Sequence, residues 1–322
     1  QDLTITPFSW CAANSQSNPR TPKIQLRQSI AMDPSALDQS PIISPDPPHP
    51  AIYAEAVQVR HPIESMDYAW LMFERFVFRR DDDGASFPDV RAAPIRAKSI
   101  TSMGDPFTVA VIPEEPPAVS RLYVKWPGGA GSATELVTTD KGLLLLRLTT
   151  DIKLSEGETD KYPYRQDYFI CQSAIGSRLP WLSIKRLPEC TKPIVLRVGD
   201  EDIAIDRRFH ADAIGLCRLG NDEFAVVQLA KFFALAEDKM GAELCVLHSA
   251  VWTKDDVSDI VAKGKWEVLS LPIRHLQEEF NDIRCWSVDA AITFGDSIVW
   301  VDYHQGGMLS YTPRDANFIS YN

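Results

Sequence analysis

GLLLLRL at 142–148, DYFICQ at 167–172 and WLSIKRLP at 181–188 make up a strand-rich unit, and the unit recurs. Its second copy reads IGLCRL at 214–219, FAVVQL at 224–229, AELCVLHS at 242–249 and KWEVLSLP at 265–272. A third opens with ITFGDSIVWVDYHQGGMLSY at 292–311. The first two copies each pair apolar strands carrying Phe or Cys with a Trp-led strand that ends in Leu-Pro. Recurrence of this kind marks repeated sheets, and blades of four strands recur every ~40–50 residues in propellers. Short strands with Gly/Pro turns and few helices place the chain among all-β folds. The expected architecture is therefore propeller-like: repeated antiparallel sheets, incomplete in number, with short helical insertions.

Upstream of the repeats, AWLMFERFVFRR at 69–80 alternates as a strand and runs into RDDDG at 80–84, where Asp-Gly signals a turn. FTVAVIP at 107–113 and VSRLYVKW at 119–126 are two further strands. The double proline of EEPPA between them blocks helix and forces a loop. WPGGAGS at 126–132 is another turn; it lacks the Gly-Lys-Ser/Thr of a phosphate loop. Two segments read as helices inserted in the second unit. KFFALAEDKMG at 231–241 has good helix formers and a terminal Gly. KDDVSDIVAKG at 254–264 has Val257, Ile260 and Val261 at helical spacing, early acids and a closing Gly. Residues 1–65 differ in composition, as SPIISPDPPHP at 40–50 shows. Proline removes a donor and fixes φ, so an irregular or disordered tail is expected there, with the β domain over 66–322.

The 322 residues carry a net charge of −11, and phosphate binding needs a concentrated basic patch, so no nucleic-acid partner is expected. The basic pairs Arg79-Arg80 and Arg207-Arg208 sit beside acidic runs and read as solvated strand ends or turns. Six cysteines (Cys11, Cys171, Cys190, Cys217, Cys245, Cys285) form no C-x-x-C pair. Cys171, Cys217 and Cys245 lie in apolar runs, where free Cys behaves as a small hydrophobe. QDLTITPFSW has neither a basic n-region nor an apolar h-region, and no stretch reaches the ~18 apolar residues of a membrane span. A soluble, reducing compartment, cytoplasmic or nuclear, is the expectation, with no membrane association.

Motifs that carry chemistry are sparse. GDEDIAID at 199–206 gathers four acids, but the spacing is not that of an EF-hand and hairpin charges explain it better. His210, His248, His275 and His304 are scattered without zinc spacing, so no metal and no cofactor is expected. No nucleophile elbow is present and no catalytic residue is assigned. The one binding candidate is the cluster Trp300, Asp302 and His304. Asp302 and His304 share strand parity and could face a funnel; alternatively the Asp satisfies turn donors and fixes blade packing. Trp126, Trp181, Trp252, Trp266, Trp286 and Trp300 recur near strand ends, where they are expected to wedge between sheets.

WSVDAAITFGDSIVWVDYHQGGML at 286–309 resembles a plant family, and so do FERFVFRRDDDG at 73–84, EEPPAVSRLYVKWPG at 114–128, HADAIGLCRL at 210–219 and AELCVLHS at 242–249. In this order the motifs resemble the grass-expanded family named for domain of unknown function 1618. The resemblance spans about residues 68–311 and implies a propeller-like domain akin to those that follow F-boxes. It implies no catalytic residues. Members tend to begin near Trp70 and to continue beyond the Gly-Met-Leu element, so the chain is expected to be a shortened member. The expected function is a non-enzymatic scaffold that binds an unidentified protein. The alternatives are a small-ligand-binding or hydrolase-like propeller with a polar funnel, and a truncated product without retained activity.

Overall fold

The computed structural model describes residues 71–321 apart from 82–86, 130–132, 153–163, 174–181, 199–200, 221–222, 237–238, 252–259 and 316. The Pro-rich segment 1–65, most of RDDDG, Trp181 and Trp252 thus lie outside the described residues. The first sheet contains β1 (Met72–Arg79), β2 (Ile95–Ile100), β3 (Pro106–Ile112) and β4 (Val119–Lys125) in the order β1-β4-β3-β2. The second is a meander of β5 (Ala133–Asp140), β6 (Leu143–Asp151), β7 (Tyr164–Ser173) and β8 (Leu182–Arg186). A hairpin of β9 (Ile194–Val198) and β10 (Glu201–Ile205) follows. The third meander is β11 (Ile214–Leu219), β12 (Glu223–Ala236), β13 (Lys239–Ala250) and β14 (Trp266–Arg274). The fourth is β15 (Ala290–Phe294), β16 (Ser297–Val301), β17 (Met308–Tyr311) and β18 (Ile319–Tyr321).

The four sheets stack face to face in chain order, and three apolar layers lie between them. Phe107, Val109 and Val111 of β3 meet Leu144, Leu146 and Leu148 of β6 in the first layer. Leu143 and Leu145, on the opposite face of the same β6, meet Leu216, Phe224 and Val226 in the second. Ala225, Val227 and Leu244 meet Ile298, Trp300 and Leu309 in the third. Side chains alternate across a strand, so a sheet covered on both sides needs apolar residues at consecutive positions. That is why GLLLLRL and FAVVQL are unbroken runs. The tryptophans fill the layers as expected: Trp126 in the first, Trp266 in the second, Trp286 and Trp300 in the third. The fold is all-β and propeller-like. The last two meanders also join, because β14 pairs in parallel with β18 through Ile273 and Ile319. At the other end Thr293 of β15 donates its hydroxyl to the Leu216 carbonyl of β11, which nearly closes this eight-stranded sheet.

Turns follow the sequence signals. Asp140 pairs with Leu143 across Lys141 and Gly142, whose φ values of 45° and 83° are those of a type I′ hairpin. The turn is then used for contact between sheets. The Arg218 amide of β11 donates to the Asp140 carboxylate at 2.6 Å, and Lys141 Nζ reaches Asp296 at 3.1 Å in the β15–β16 turn.

Two expectations are corrected, and a third falls largely outside the described residues. KFFALAEDKMG is not a helix: β12 runs to Ala236 and β13 starts at Lys239, with Phe232 opposite Ala242 and Phe233 opposite Gly241. Tertiary pairing overrides helix propensity here. Phe232 packs edge-on against Trp286 at 5.7 Å, and a Cβ on Gly241 would sit 2.7 Å from the Phe233 ring. KDDVSDIVAKG falls largely outside the described residues, and its described end, Ile260–Gly264, is not helical; Val261 bridges Arg186 of β8. The helical insertions lie elsewhere, as α1 (Phe280–Cys285) and 3₁₀ turns at Ala211–Ala213, Gln277–Glu279 and Pro313–Asp315. Finally, the basic pairs are not simply solvated. Arg79 donates to the Trp126 carbonyl at 3.0 Å with its guanidinium over the Trp126 ring, and the Arg207 side chain is completely buried.

Close approach of the third sheet to the fourth centres on Gly215, where a Cβ would overlap Ile298 Cγ2. Overpacking a filled layer costs about 1–3 kcal/mol. Gly215→Val is therefore expected to lower the unfolding free energy read from urea titration by that amount, and a second change, Ile298→Ala, which removes the overlapped Cγ2, to restore part of it. Equal stability of the single variant and the parent would contradict this packing.

Candidate functional site

Trp300, Asp302 and His304 surround the end of β16 but do not converge on a cavity. Trp300 is fully buried and donates its indole N–H to the Ala213 carbonyl at 2.9 Å, anchoring the fourth sheet to the 3₁₀ turn ahead of β11. β16 ends at Val301, and 303–305 form a turn, so Asp302 and His304 do not share a strand. The Asp302 carboxylate is buried and fully engaged. One oxygen accepts from the amides of His304 and Gln305, both at 2.8 Å; the other accepts from the Ser287 amide at 2.9 Å. Desolvation pushes this carboxyl up, but the amides of Ser287, Gln305 and His304 outweigh it and hold it below the ordinary carboxylate value. The neighbouring Asp289 carboxylate accepts from the Tyr303 amide at 2.6 Å. Two aspartates thus freeze the backbone of the β16–β17 turn, and the turn presents Tyr303 and His304 to solvent.

Beyond that turn lies the outer face of the fourth sheet. Ile298, Trp300, Leu309 and Tyr311 point into the third apolar layer. Positions of opposite parity face out, and cross-strand partners share a face. The register therefore puts Ala290, Ile292 and Phe294 of β15 beside Val301, Val299 and Ser297 of β16, with Met308 next to Val301. No charged residue stands on these positions. Phe294 is 79% exposed, Ile292 47% and Met308 44%. The outer face of the first sheet is built differently: Arg96, Lys98, Arg121 and Lys125 occupy it, together with Tyr123. Sequence reading missed the apolar face because ITF and SIVWV look the same whether one or both sides of the sheet are covered.

A cavity of about 560 Å³ opens between the second and third sheets, lined by Tyr164, Arg165, Cys190, Lys192, Arg207 and Trp266 among others. Arg207 donates to the Lys192 carbonyl at 3.0 Å and to Glu243 of β13 at 2.6 Å. Arg208 stacks over the Tyr164 ring at 4.2 Å. Trp300, Asp302 and His304 are not part of this cavity. Asp202 and Asp206, from the acidic GDEDIAID run, are exposed along and after β10. Among the described residues no group of three or more His, Cys, Asp or Glu side chains is arranged to hold a metal ion, and no helix is long and apolar enough to cross a membrane.

Comparison of the chain with family models, with curated proteins and with solved structures returns no match. The residues themselves therefore carry the functional argument. The depressed Asp302 carboxyl gives it a stability signature. Its contribution is complete above the unfolded value near 3.9 and is lost as pH falls through the lower folded value. Asp302→Ala, which strands three backbone donors, is expected to cost about 1–3 kcal/mol at neutral pH and less as pH falls below the ordinary carboxylate range. Chemical denaturation across pH tests this; a cost that does not shrink in acid would contradict the assignment. His304→Ala is expected to change stability by under ~0.5 kcal/mol.

Proposed function

We propose that this chain is a non-enzymatic interaction module that docks a protein partner on the outer face of β15–β17. The observation that supports it most directly is the uncharged apolar surface around Phe294, Ile292 and Met308. Exposed apolar residues scattered singly are ordinary, whereas a contiguous set on one sheet face is the mark of an interaction site. Aromatic anchors such as Phe294, together with Tyr303 on the adjoining turn, suit the centre of such a site. The resemblance to the grass-expanded family with propeller-like domains agrees with this reading. So does the condition of Asp302, whose oxygens are taken up by backbone amides and are not offered to a substrate.

A photo-crosslinking residue placed at position 294 in the full chain, with position 121 on the opposite outer face as control, distinguishes the outcomes. The reading expects a discrete product with a second protein from 294 and none from 121, abolished when Ile292 and Met308 are both changed to Asp. Equal labelling from both positions, no product, or only a product of twice the chain mass would overturn it. Because Phe294 is largely exposed, Phe294→Asp is expected to leave the unfolding free energy within ~0.5 kcal/mol while removing partner binding.

A further inference from the structure

We propose that Cys190 and Cys245 form a reversible dithiol–disulfide site, in which Cys190 takes the oxidant from the cavity and Cys245 closes the bond from the core. The two sulfurs are 3.4 Å apart although the residues are 55 positions apart in sequence. A disulfide needs about 2.05 Å, so a modest approach of the two side chains completes it. Cys245 sits in the middle of β13, buried in the second apolar layer. Cys190 lies in the segment that leaves β8, half-buried, on the wall of the 560 Å³ cavity. Cys245 is not on that wall. One thiol is therefore reachable and the other waits behind it, as an attacking and a resolving cysteine require.

Arg207 is what holds the two together. Its guanidinium, completely buried, donates to the carbonyls of Lys192 and Pro193 and to the carboxylate of Glu243. Glu243 and Cys245 are two residues apart on β13 and so share a face. The clamp from Arg207 to Glu243 consequently lays the 190–193 segment over Cys245. The same arrangement activates Cys190. The hydrogen bond from Cys245 lowers its pKa against the opposing effect of burial, and the Lys192 amide and the Arg207 charge add to it, bringing the thiol to about 7. The Cys245 thiol is pushed in the other direction by the same hydrogen bond and by burial, so it stays protonated until it reacts.

The oxidant is a hydroperoxide, with hydrogen peroxide as the simplest case. The Cys190 thiolate attacks one peroxide oxygen, the O–O bond breaks, and hydroxide leaves; two electrons pass from sulfur to peroxide, giving a sulfenic acid. The Cys245 sulfur then attacks the Cys190 sulfur. The S–S bond forms, the S–O bond breaks, and the departing hydroxyl takes the Cys245 proton as water. A dithiol reductant reverses the bond by two exchanges. The product ties the exit of the second sheet to the middle of the third, restricting the unfolded chain and raising the melting midpoint.

The full chain, treated with hydrogen peroxide, alkylated, digested without reductant and analysed by mass spectrometry, tests the proposal. The expected result is a cross-linked peptide pair containing Cys190 and Cys245, two hydrogens lighter than its parts and separated by dithiothreitol. In Cys245→Ser the sulfenic acid at Cys190 is expected to persist and to be trapped by dimedone. Arg207→Gln, which releases the clamp, is expected to slow cross-linking at least tenfold. The proposal is overturned if, in the unmutated chain, Cys190 stays a free thiol while exposed Cys285 is consumed. It is equally overturned if Cys190 proceeds to sulfinic acid with Cys245 unmodified. The measurement on the unmutated chain decides even if a variant fails to fold.

Discussion

Everything in this structure depends on the second and third sheets being covered on both faces. A strand in such a sheet cannot alternate apolar and polar residues, since neither face meets water. β6 shows the constraint at full strength: Leu143 and Leu145 serve one layer, Leu144, Leu146 and Leu148 the other. Where polarity intrudes, it must be answered across the strands. Arg147 is set between Glu135 of β5 and Tyr168 of β7 in one row of the register, and it pairs with the Glu135 carboxylate. Tyr168 in turn donates its hydroxyl to the Phe209 carbonyl at 2.9 Å. A charge thus sits beside the apolar layer because its row supplies the partners.

This explains how far the sequence could be read. The unbroken runs and recurring tryptophans announce sheets stacked on sheets, since only two-sided burial demands them. What the sequence does not display is which polar residue meets which across long chain separations. Arg207-Arg208 has the composition of a solvated turn, yet Arg207 is claimed by Glu243, 36 positions away. KFFALAEDKMG has the composition of a helix, yet its Lys231, Phe232 and Phe233 find partners on β13 that a helix would forfeit. The site candidates follow the same logic. Asp302 was legible as a turn-forming aspartate because its donors at 304 and 305 are local. The apolar outer face and the Cys190–Cys245 contact were not, because each is a property of register or of tertiary pairing.

The choice of arginine at 207 also has a physical ground. Taking a cation fully out of water is costly unless it is paired and hydrogen-bonded. Arg207 is answered at Nε and Nη2, though its Nη1 is buried without a hydrogen-bond partner among the described residues. A guanidinium presents a planar fork, so one side chain can serve two backbone carbonyls and a carboxylate together. A lysine at 207 would offer a single point charge to those three acceptors. Glu243 is further shared with Lys231 at 3.5 Å, and Lys231 also donates to the Val195 carbonyl at 2.8 Å. The connection that leaves the second sheet, including the β9 hairpin, is therefore fastened to the third by charge, where apolar layers fasten the sheets themselves.

The two ends of the stack then differ in a way that bears on how the chain meets other molecules. The first sheet's outer face carries Arg96, Lys98, Arg121 and Lys125, which keep it in water. The fourth presents Phe294, Ile292 and Met308 with no charge between them. An exposed strand edge would invite pairing by main-chain hydrogen bonds. That route is restricted here, because β15 is drawn back toward β11 by the Thr293 hydroxyl, and β18 is taken up by β14. With its edges occupied, the fourth sheet can offer a partner its face but little of its backbone. Contact there must be made by side-chain packing, which is the way each sheet in this chain already meets the next.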